Sequence, residues 1–278
     1  MTPAPAGRLI AIASGKGGVG KTWLSITLAQ ALARAGRRVL LADADLGLAN
    51  VDVQLGLDPA RDLGVLLGGQ DLASVVQRHA AGFDILPGRS GSGALANPGE
   101  AGFARLLAAL LRARREWREV VLDLGAGLDQ GVRRLAAAAD LLLVVATEEP
   151  TSLTDAYAVL KLHRRDRPGG AAAVVVNQAA DAAAGERTWQ ALDRACRGFL
   201  GAGVPLAGVV RRDARVPEAI RRRTPLLTRH PASPAARDVE VLAARLLERP
   251  QPGWDAGLSS PAGENRAGFP TPGAQASC

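Results

Sequence analysis

Cysteine is nearly absent from this chain. Two occur in 278 residues, Cys196 and Cys278, which excludes a disulfide framework or a closely spaced metal or redox pair. A reducing, cytoplasmic compartment is the expectation. Aromatic residues amount to 3%, so a core has to be built from Ala, Leu and Val. The three histidines, His79, His163 and His230, share no metal-binding or catalytic spacing. No apolar run approaches the ~20 residues of a membrane-spanning helix. The opening MTPAPAGRLIAIAS has no basic segment followed by a long apolar one, so no secretory signal is visible. Lysine is the most informative shortage. Of 34 basic residues only Lys16, Lys21 and Lys161 are lysine, and two of these lie in one short stretch, SGKGGVGKTW (Ser14 to Trp23).

What is present describes a globular protein. Hydrophobic residues make up 47%, charged residues 22%, and the net charge is +7. That charge permits contact with nucleic acid or an acidic membrane without requiring either. Apolar runs alternate with helical patterns: Leu9–Ala13, Val39–Ala42, Phe83–Leu86, Val120–Leu124, Leu141–Ala146, Ala171–Val176 and Leu206–Val210. Most lack polar alternation, the mark of strands buried on both faces. Between them lie stretches such as TWLSITLAQALARAG, with Leu24, Leu28 and Leu32 on one face and Gly36 as a stop. The expected fold is α/β, a doubly wound, mostly parallel sheet with helices on both faces. Three segments are expected: a short extension over 1–6, one domain over 7–248, and a Pro/Gly/Ser-rich tail over 249–278 that cannot bury enough apolar surface to order itself.

Residues 15–22, GKGGVGKT, satisfy G-x-x-x-x-G-K-[ST] directly after a buried run and at the start of a helical one. Glycines let backbone N–H groups face phosphate oxygens, and the helix N-terminus adds its positive end. Lys21 is suited to the β/γ-phosphates and Thr22 to Mg²⁺; arginine's planar fork would not replace a compact ammonium here. The loop also reads as G-x-G-x-x-G with Asp43 further on, the dinucleotide fingerprint, but the Lys-Thr pair and the extra lysine favour a nucleoside triphosphate. Asp123, expected to end the strand of EVVLDLGAG, follows the apolar-run-then-Asp pattern that holds Mg²⁺ through water. Gly125 and Gly127 would let the following turn move when a γ-phosphate leaves. Asp43 and Asp45, taken alone, read as helix-capping residues after a strand.

The K-G-G-x-G-K-T loop resembles that of the MinD/ParA-type P-loop ATPases. Together with DADLGLANVDVQLGL, ILPGRSGSG, LDLGAGL and EEPTSLTDAYAVLK, it is most similar to the FlhG (FleN, YlxH) branch, the ATPases that set flagellar number and placement. The resemblance covers about 7–248. It implies an ATPase with ATP and Mg²⁺ as ligands. Gly15, Lys16, Gly17, Gly18, Val19, Gly20, Lys21, Thr22 and Trp23 would form the nucleotide loop. Lys16 would cross a homodimer interface to the partner's phosphates, and Asp45 would orient the attacking water. Thr22, Asp43 and Asp123 would serve the metal, with Asn50 nearby in support. Asn177 matches the adenine-reading position, though a strand-end cap explains it equally. Ser152 and Asp155 of the EPTSLTDAYA run read as a helix-initiating cap close to a capping box.

The same resemblance implies a cytoplasmic switch, with recruitment to the inner membrane face or cell pole. Its partners would be a second copy, an FlhF-type GTPase, flagellar switch proteins or a flagellar transcription activator. The alternatives are a ParA-like DNA-binding ATPase, motivated by the arginines of HRRDR (His163–Arg167) and AIRRRTP (Ala219–Pro225), and a MinD-like division-site ATPase. Three departures stand out. Trp23 replaces a usual hydroxyl or amide residue, no FlhF-stimulating motif precedes the first strand, and no C-terminal amphipathic membrane helix is recognisable. DVEVLAARLLER reads instead as the last helix of the domain. Related iron–sulfur carriers need paired cysteines and related tyrosine kinases a tyrosine cluster; neither is present. PGRSGSG lacks a nucleophile elbow.

Overall fold

The protein is described by a computed structural model over residues 7–88 and 98–248; the expected extension 1–6 and tail 249–278 lie outside the described residues, as does most of the PGRSGSG loop. The strands are β1 (Arg8–Ser14), β2 (Val39–Ala44), β3 (Gln77–Arg78), β4 (Asp84–Leu86), β5 (Glu119–Ala126), β6 (Leu141–Ala146), β7 (Ala172–Ala179) and β8 (Leu206–Arg211). They form one sheet in the order β3-β4-β2-β5-β1-β6-β7-β8. Every pairing is parallel except β3 with β4. Each apolar run read from the sequence falls on one of these strands. β3 escaped notice because two residues carry no periodicity.

Both faces of the sheet are covered. On one lie α1 (Lys21–Arg34) and the last helix, α10 (Pro234–Glu248), whose Leu24, Leu28, Val239 and Leu242 join the alternate residues of the strands. On the other lie α4 (Gly99–Ala113), α5 (Gln130–Ala138), α6 (Pro150–Asp166) and α7 (Ala182–Leu200), contributing Leu106, Leu135, Leu160 and Leu192. Short helices α2 (Val51–Leu55), α3 (Gly64–Leu67), α8 (Arg215–Arg221) and α9 (Leu226–Arg229) complete the order. The chain leaves β1 toward β2 and later crosses to β6 on its other side, so the crevice at the carboxyl end of β1 is the switch point where such sheets bind ligands. No described helix is long and apolar enough to cross a membrane.

Three details differ from the sequence reading. Asp123 lies inside β5, which runs on to Ala126, and Asn177 lies inside β7 with Gln178 next to it at φ 57°. Ser152 does not cap α6. Pro150, whose fixed φ suits the first helical position, starts the helix earlier with Glu149 as its N-cap. The Ser152 hydroxyl instead accepts a hydrogen bond from the Thr147 amide at 2.9 Å, fastening the end of β6 to α6.

The arginines of HRRDR are mostly spent internally. Arg164 donates to the carbonyls of Leu200 and Gly203, Arg167 to those of Ala137 and Ala139. They close helix and loop ends that would otherwise hold unsatisfied carbonyls.

Candidate nucleotide site

The loop between β1 and α1 turns through Gly18 at φ 79° and Gly20 at φ 89°, a left-handed backbone that favours glycine. Its glycines face two ways. A side chain at Gly17 or Gly18 would meet no atom within 4 Å, whereas a Cβ at Gly15 would lie 2.5 Å from the Asp155 Cβ on α6. At Gly20 it would lie 2.5 Å from Asn177 Nδ2. The loop carbonyls are held from outside: Ser14 Oγ donates to Lys16 O at 2.6 Å, Asn177 Nδ2 to Val19 O at 2.8 Å, and Gln178 Nε2 to Gly18 O at 3.2 Å. The first helical hydrogen bond of α1 runs from Leu24 N to Gly20 O. The amides of Lys21, Thr22 and Trp23 therefore stand at an open helix N-terminus, the arrangement that binds phosphate.

Behind the loop is a buried set of charges. Asp43 of β2 is the direct neighbour of Asp123 of β5, and both are 1% exposed. Burial pushes both carboxyls above the usual range, and each is further influenced by nearby carboxylates. Asp123 is opposed by hydrogen bonds from the hydroxyls of Thr22 and Ser25; Ser25 Oγ lies 2.8 Å from its Oδ1. Burial holds the Lys21 ammonium below its ordinary range, against the pull of Asp123 and Asp45. Two neighbouring buried carboxylates, a hydroxyl of α1 and an open row of amides are hard oxygen donors and anion-binding groups side by side. That chemistry fits Mg²⁺ and the polyphosphate it accompanies.

Asp43 and Asp45 also organise the loop after β2. Asp43 accepts from the amides of Asp45 (3.3 Å), Asn50 (2.9 Å) and Val51 (2.9 Å), thereby starting α2. Asp45 Oδ1 accepts from Gly47 and Leu48 at 3.2 and 2.9 Å, and a Cβ at Gly125 would stand 3.1 Å from it. A cavity of about 780 Å³ opens beside Asp45 and Gly125. A second, of about 490 Å³, adjoins Gly18 and Gly20 and is walled by Trp23, Asn177, Val216, Pro217 and Ile220. It is a mostly apolar slot of the kind that takes a nucleobase.

Residues 10–226 match the family model of the CobQ/CobB/MinD/ParA nucleotide-binding domain. The chain belongs to that family. Among curated MinD/ParA relatives it is 36% identical over 246 residues, 88% of each chain, to the antiactivator FleN of Pseudomonas aeruginosa. It is 34% identical over 168 residues, 58% of this chain and 55% of the other, to the flagellum site-determining protein YlxH of Helicobacter pylori. Of solved structures, the septum site-determining protein MinD of Pyrococcus horikoshii, complexed with Mg-ADP, superposes with a TM-score of 0.72 at 25% identity over 86% of this chain and 95% of that one. The fold read from the sequence is thus the MinD/ParA P-loop fold, and the family is one of ATPases.

In this MinD/ParA domain the loop Gly15–Thr22, Asp43, Asp45 and Asp123 converge at one end of the sheet. Trp23 is only 6% exposed, packing among the residues of α1 and α8, and its Nε1 has no hydrogen-bond partner among the described residues. The side chain of Asn50, expected nearby, turns to the Leu48 carbonyl at 2.6 Å. The sequence reading missed Ser25, Gln178 and the base-side wall from Arg211 to Ile220. It also missed that Lys16 Nζ turns back within its own chain, bonding Glu149 and, at 3.1 Å, Thr151 Oγ1.

Proposed function

We propose that this chain is an ATP-dependent dimerisation switch with slow hydrolysis that regulates flagellar number or placement. The observation carrying the flagellar part is the likeness to FleN across 88% of both chains. ATP would lie with its phosphates on the amides of residues 17–23 and on Lys21, and its base in the slot between Trp23, Asn177 and Ile220. Thr22 and Asp123 would hold Mg²⁺, which when bound shares the negative charge of the β/γ oxygens; Asp43 aligns the neighbouring loop. Asp45 orients the attacking water, and Lys16 reaches the phosphates bound by the second copy. Of the arginines behind the DNA-binding alternative, Arg164 and Arg167 already serve carbonyls of the chain itself, whereas Arg221, Arg222 and Arg223 stay exposed. The likeness to FleN over 88% of both chains ranks the flagellar reading above this alternative. The organism-level test counts flagella per cell by electron microscopy in a deletion strain and a Lys16→Ala strain. A changed number or position in both is expected; normal flagella with misdivided or anucleate cells would move the protein to the division or partition branch.

Ser25 gives a biochemical test of the metal side. Its hydroxyl is fully buried against Asp123, and losing a group that orients a metal ligand typically weakens metal binding by about 10–100-fold. Ser25→Ala is expected to lower by about tenfold the Mg²⁺ affinity of the nucleotide complex, with Mg²⁺-free ADP binding unchanged. Titration of a fluorescent nucleotide with and without Mg²⁺ measures both. An equal loss in both conditions would mean that Ser25 only packs the helix.

A further inference from the structure

The slot beside Gly18 and Gly20 offers a nucleobase shape but few directional contacts. Its apolar lining is Trp23, Val216, Pro217 and Ile220. The Trp23 N–H has no partner among the described residues, so the indole contributes bulk and no hydrogen bond. The polar side chains around the slot are committed to the chain itself. Asn177 is 3% exposed and donates from Nδ2 to the Val19 carbonyl. It is also wedged against Gly20, where a Cβ would stand 2.5 Å from that nitrogen. Gln178 Nε2 is turned to Gly18 O. Arg211 clasps Asp238 at 2.9 and 2.7 Å, and Asp213 accepts from the amides of Arg215 and Ala235 at 2.9 and 3.1 Å. Backbone donors on the rim are occupied as well. The Arg211 amide bonds Asp238 at 2.9 Å, that of Arg212 the Ala179 carbonyl at 2.8 Å, and that of Val216 the Asp213 carbonyl at 3.1 Å.

We infer that this slot recognises a purine by its shape, with Asn177 as a strut of the phosphate loop, and that it admits guanine nucleotides alongside adenine nucleotides. The inference rests on the reading of the site as a nucleotide site and names its substrate class more widely. The two purines differ by reversed polarity along one edge. Adenine presents an amino donor and the N1 acceptor; guanine presents the O6 acceptor and the N1–H donor. Telling them apart takes a fixed donor set beside a fixed acceptor. The amide oxygens left over, Asn177 Oδ1 and Gln178 Oε1, bond nothing among the described residues. An acceptor of this kind is met equally by the adenine amino group or by the guanine N1–H and amino group. The exposed Arg212 on the rim is a long, movable donor, suited to N7, which both purines carry. Sites built on edge hydrogen bonds reject the wrong ligand by about 10⁴-fold, whereas apolar pockets that read size discriminate by only about ten- to two-hundredfold. The slot is of the second kind, so it separates two rings from one better than adenine from guanine.

The experiment uses the full chain with Mg²⁺, displacing a ribose-labelled fluorescent ADP with unlabelled ADP, GDP, CDP and inorganic pyrophosphate. ADP and GDP are expected to bind within about tenfold of each other, and CDP at least about tenfold more weakly. A larger preference between ADP and GDP, in either direction, overturns the inference, as does CDP binding as tightly as ADP. Asn177→Ala separates strut from reader. Freeing the Val19 carbonyl is expected to weaken ADP, GDP and pyrophosphate alike, by about three- to tenfold, the weight of one hydrogen bond. A loss confined to ADP, with GDP and pyrophosphate unchanged, makes Asn177 an adenine reader and overturns the inference. If Mg²⁺-ADP itself does not bind, the nucleotide reading of the site fails and this inference with it.

Discussion

Lys16→Ala is expected to abolish ATP-dependent dimerisation while changing the monomer's nucleotide affinity by less than about threefold. Lys21→Ala is expected to cost nucleotide binding itself about a hundredfold, the scale of a hydrogen bond to a charged group lost from a buried site. The contrast follows from where the two side chains are. Lys21 opens α1 with its ammonium buried between the loop and Asp123, and burial lowers its affinity for a proton. Phosphate oxygens there would restore a counter-charge in a poorly solvated place. Lys16 stands on the outer side of the same loop, part-exposed, against α6. Sedimentation with an ATP analogue and titration with fluorescent ADP read the two quantities separately. If Lys16→Ala loses both in parallel, Lys16 serves its own chain's nucleotide and the cross-dimer role fails.

Asp45 carries the second large effect. Asp45→Ala is expected to reduce hydrolysis by at least about a hundredfold, the usual weight of a group that positions or activates the nucleophile, and to accumulate an ATP-bound dimer. Alanine also unties the loop, because Asp45 Oδ1 holds the amides of Gly47 and Leu48. Asp45→Asn separates the two roles, keeping an acceptor for those amides and removing the negative charge. Phosphate release and the sedimenting species are the measurements. A slow, dimeric Asp45→Asn protein is the expected outcome. Normal hydrolysis by Asp45→Asn would reduce Asp45 to an anchor of the loop and send the search for a water-positioning group to other residues near Gly125.

The parts of the site that were legible in the sequence are those made of consecutive residues. β1, the glycine loop and α1 form one unbroken stretch, and the physical needs of phosphate binding dictate its residue types directly. The Asp residues were readable because each follows a buried apolar run. The base slot was not. It joins Trp23 to Val216, Pro217 and Ile220, nearly two hundred positions away, through helices too short to show a period. Ser25 reads as an ordinary helix residue until β5 brings Asp123 to it. Ser152 was misread because Ser and Asp at capping-box spacing outweighed Pro150, whose ring determines where the helix starts. Glu149 stands in the EPTSLTDAYA run without a role of its own, and only tertiary placement brings it to Lys16.

The glycines of the phosphate loop fall into two classes, and this limits how the sequence can drift. Gly17 and Gly18 face open space, so their selection comes from a ligand and from the backbone turn. Gly15 faces α6 at a distance no side chain tolerates, so its selection comes from the protein's own helix. A lineage that abandoned nucleotide binding would be freed at Gly17 first, while Gly15 would persist as long as Asp155 and its helix kept their seat. Persistence of Gly15 alone in a diverged copy would therefore record ancestry, whereas intact glycines on the open side would record continued use.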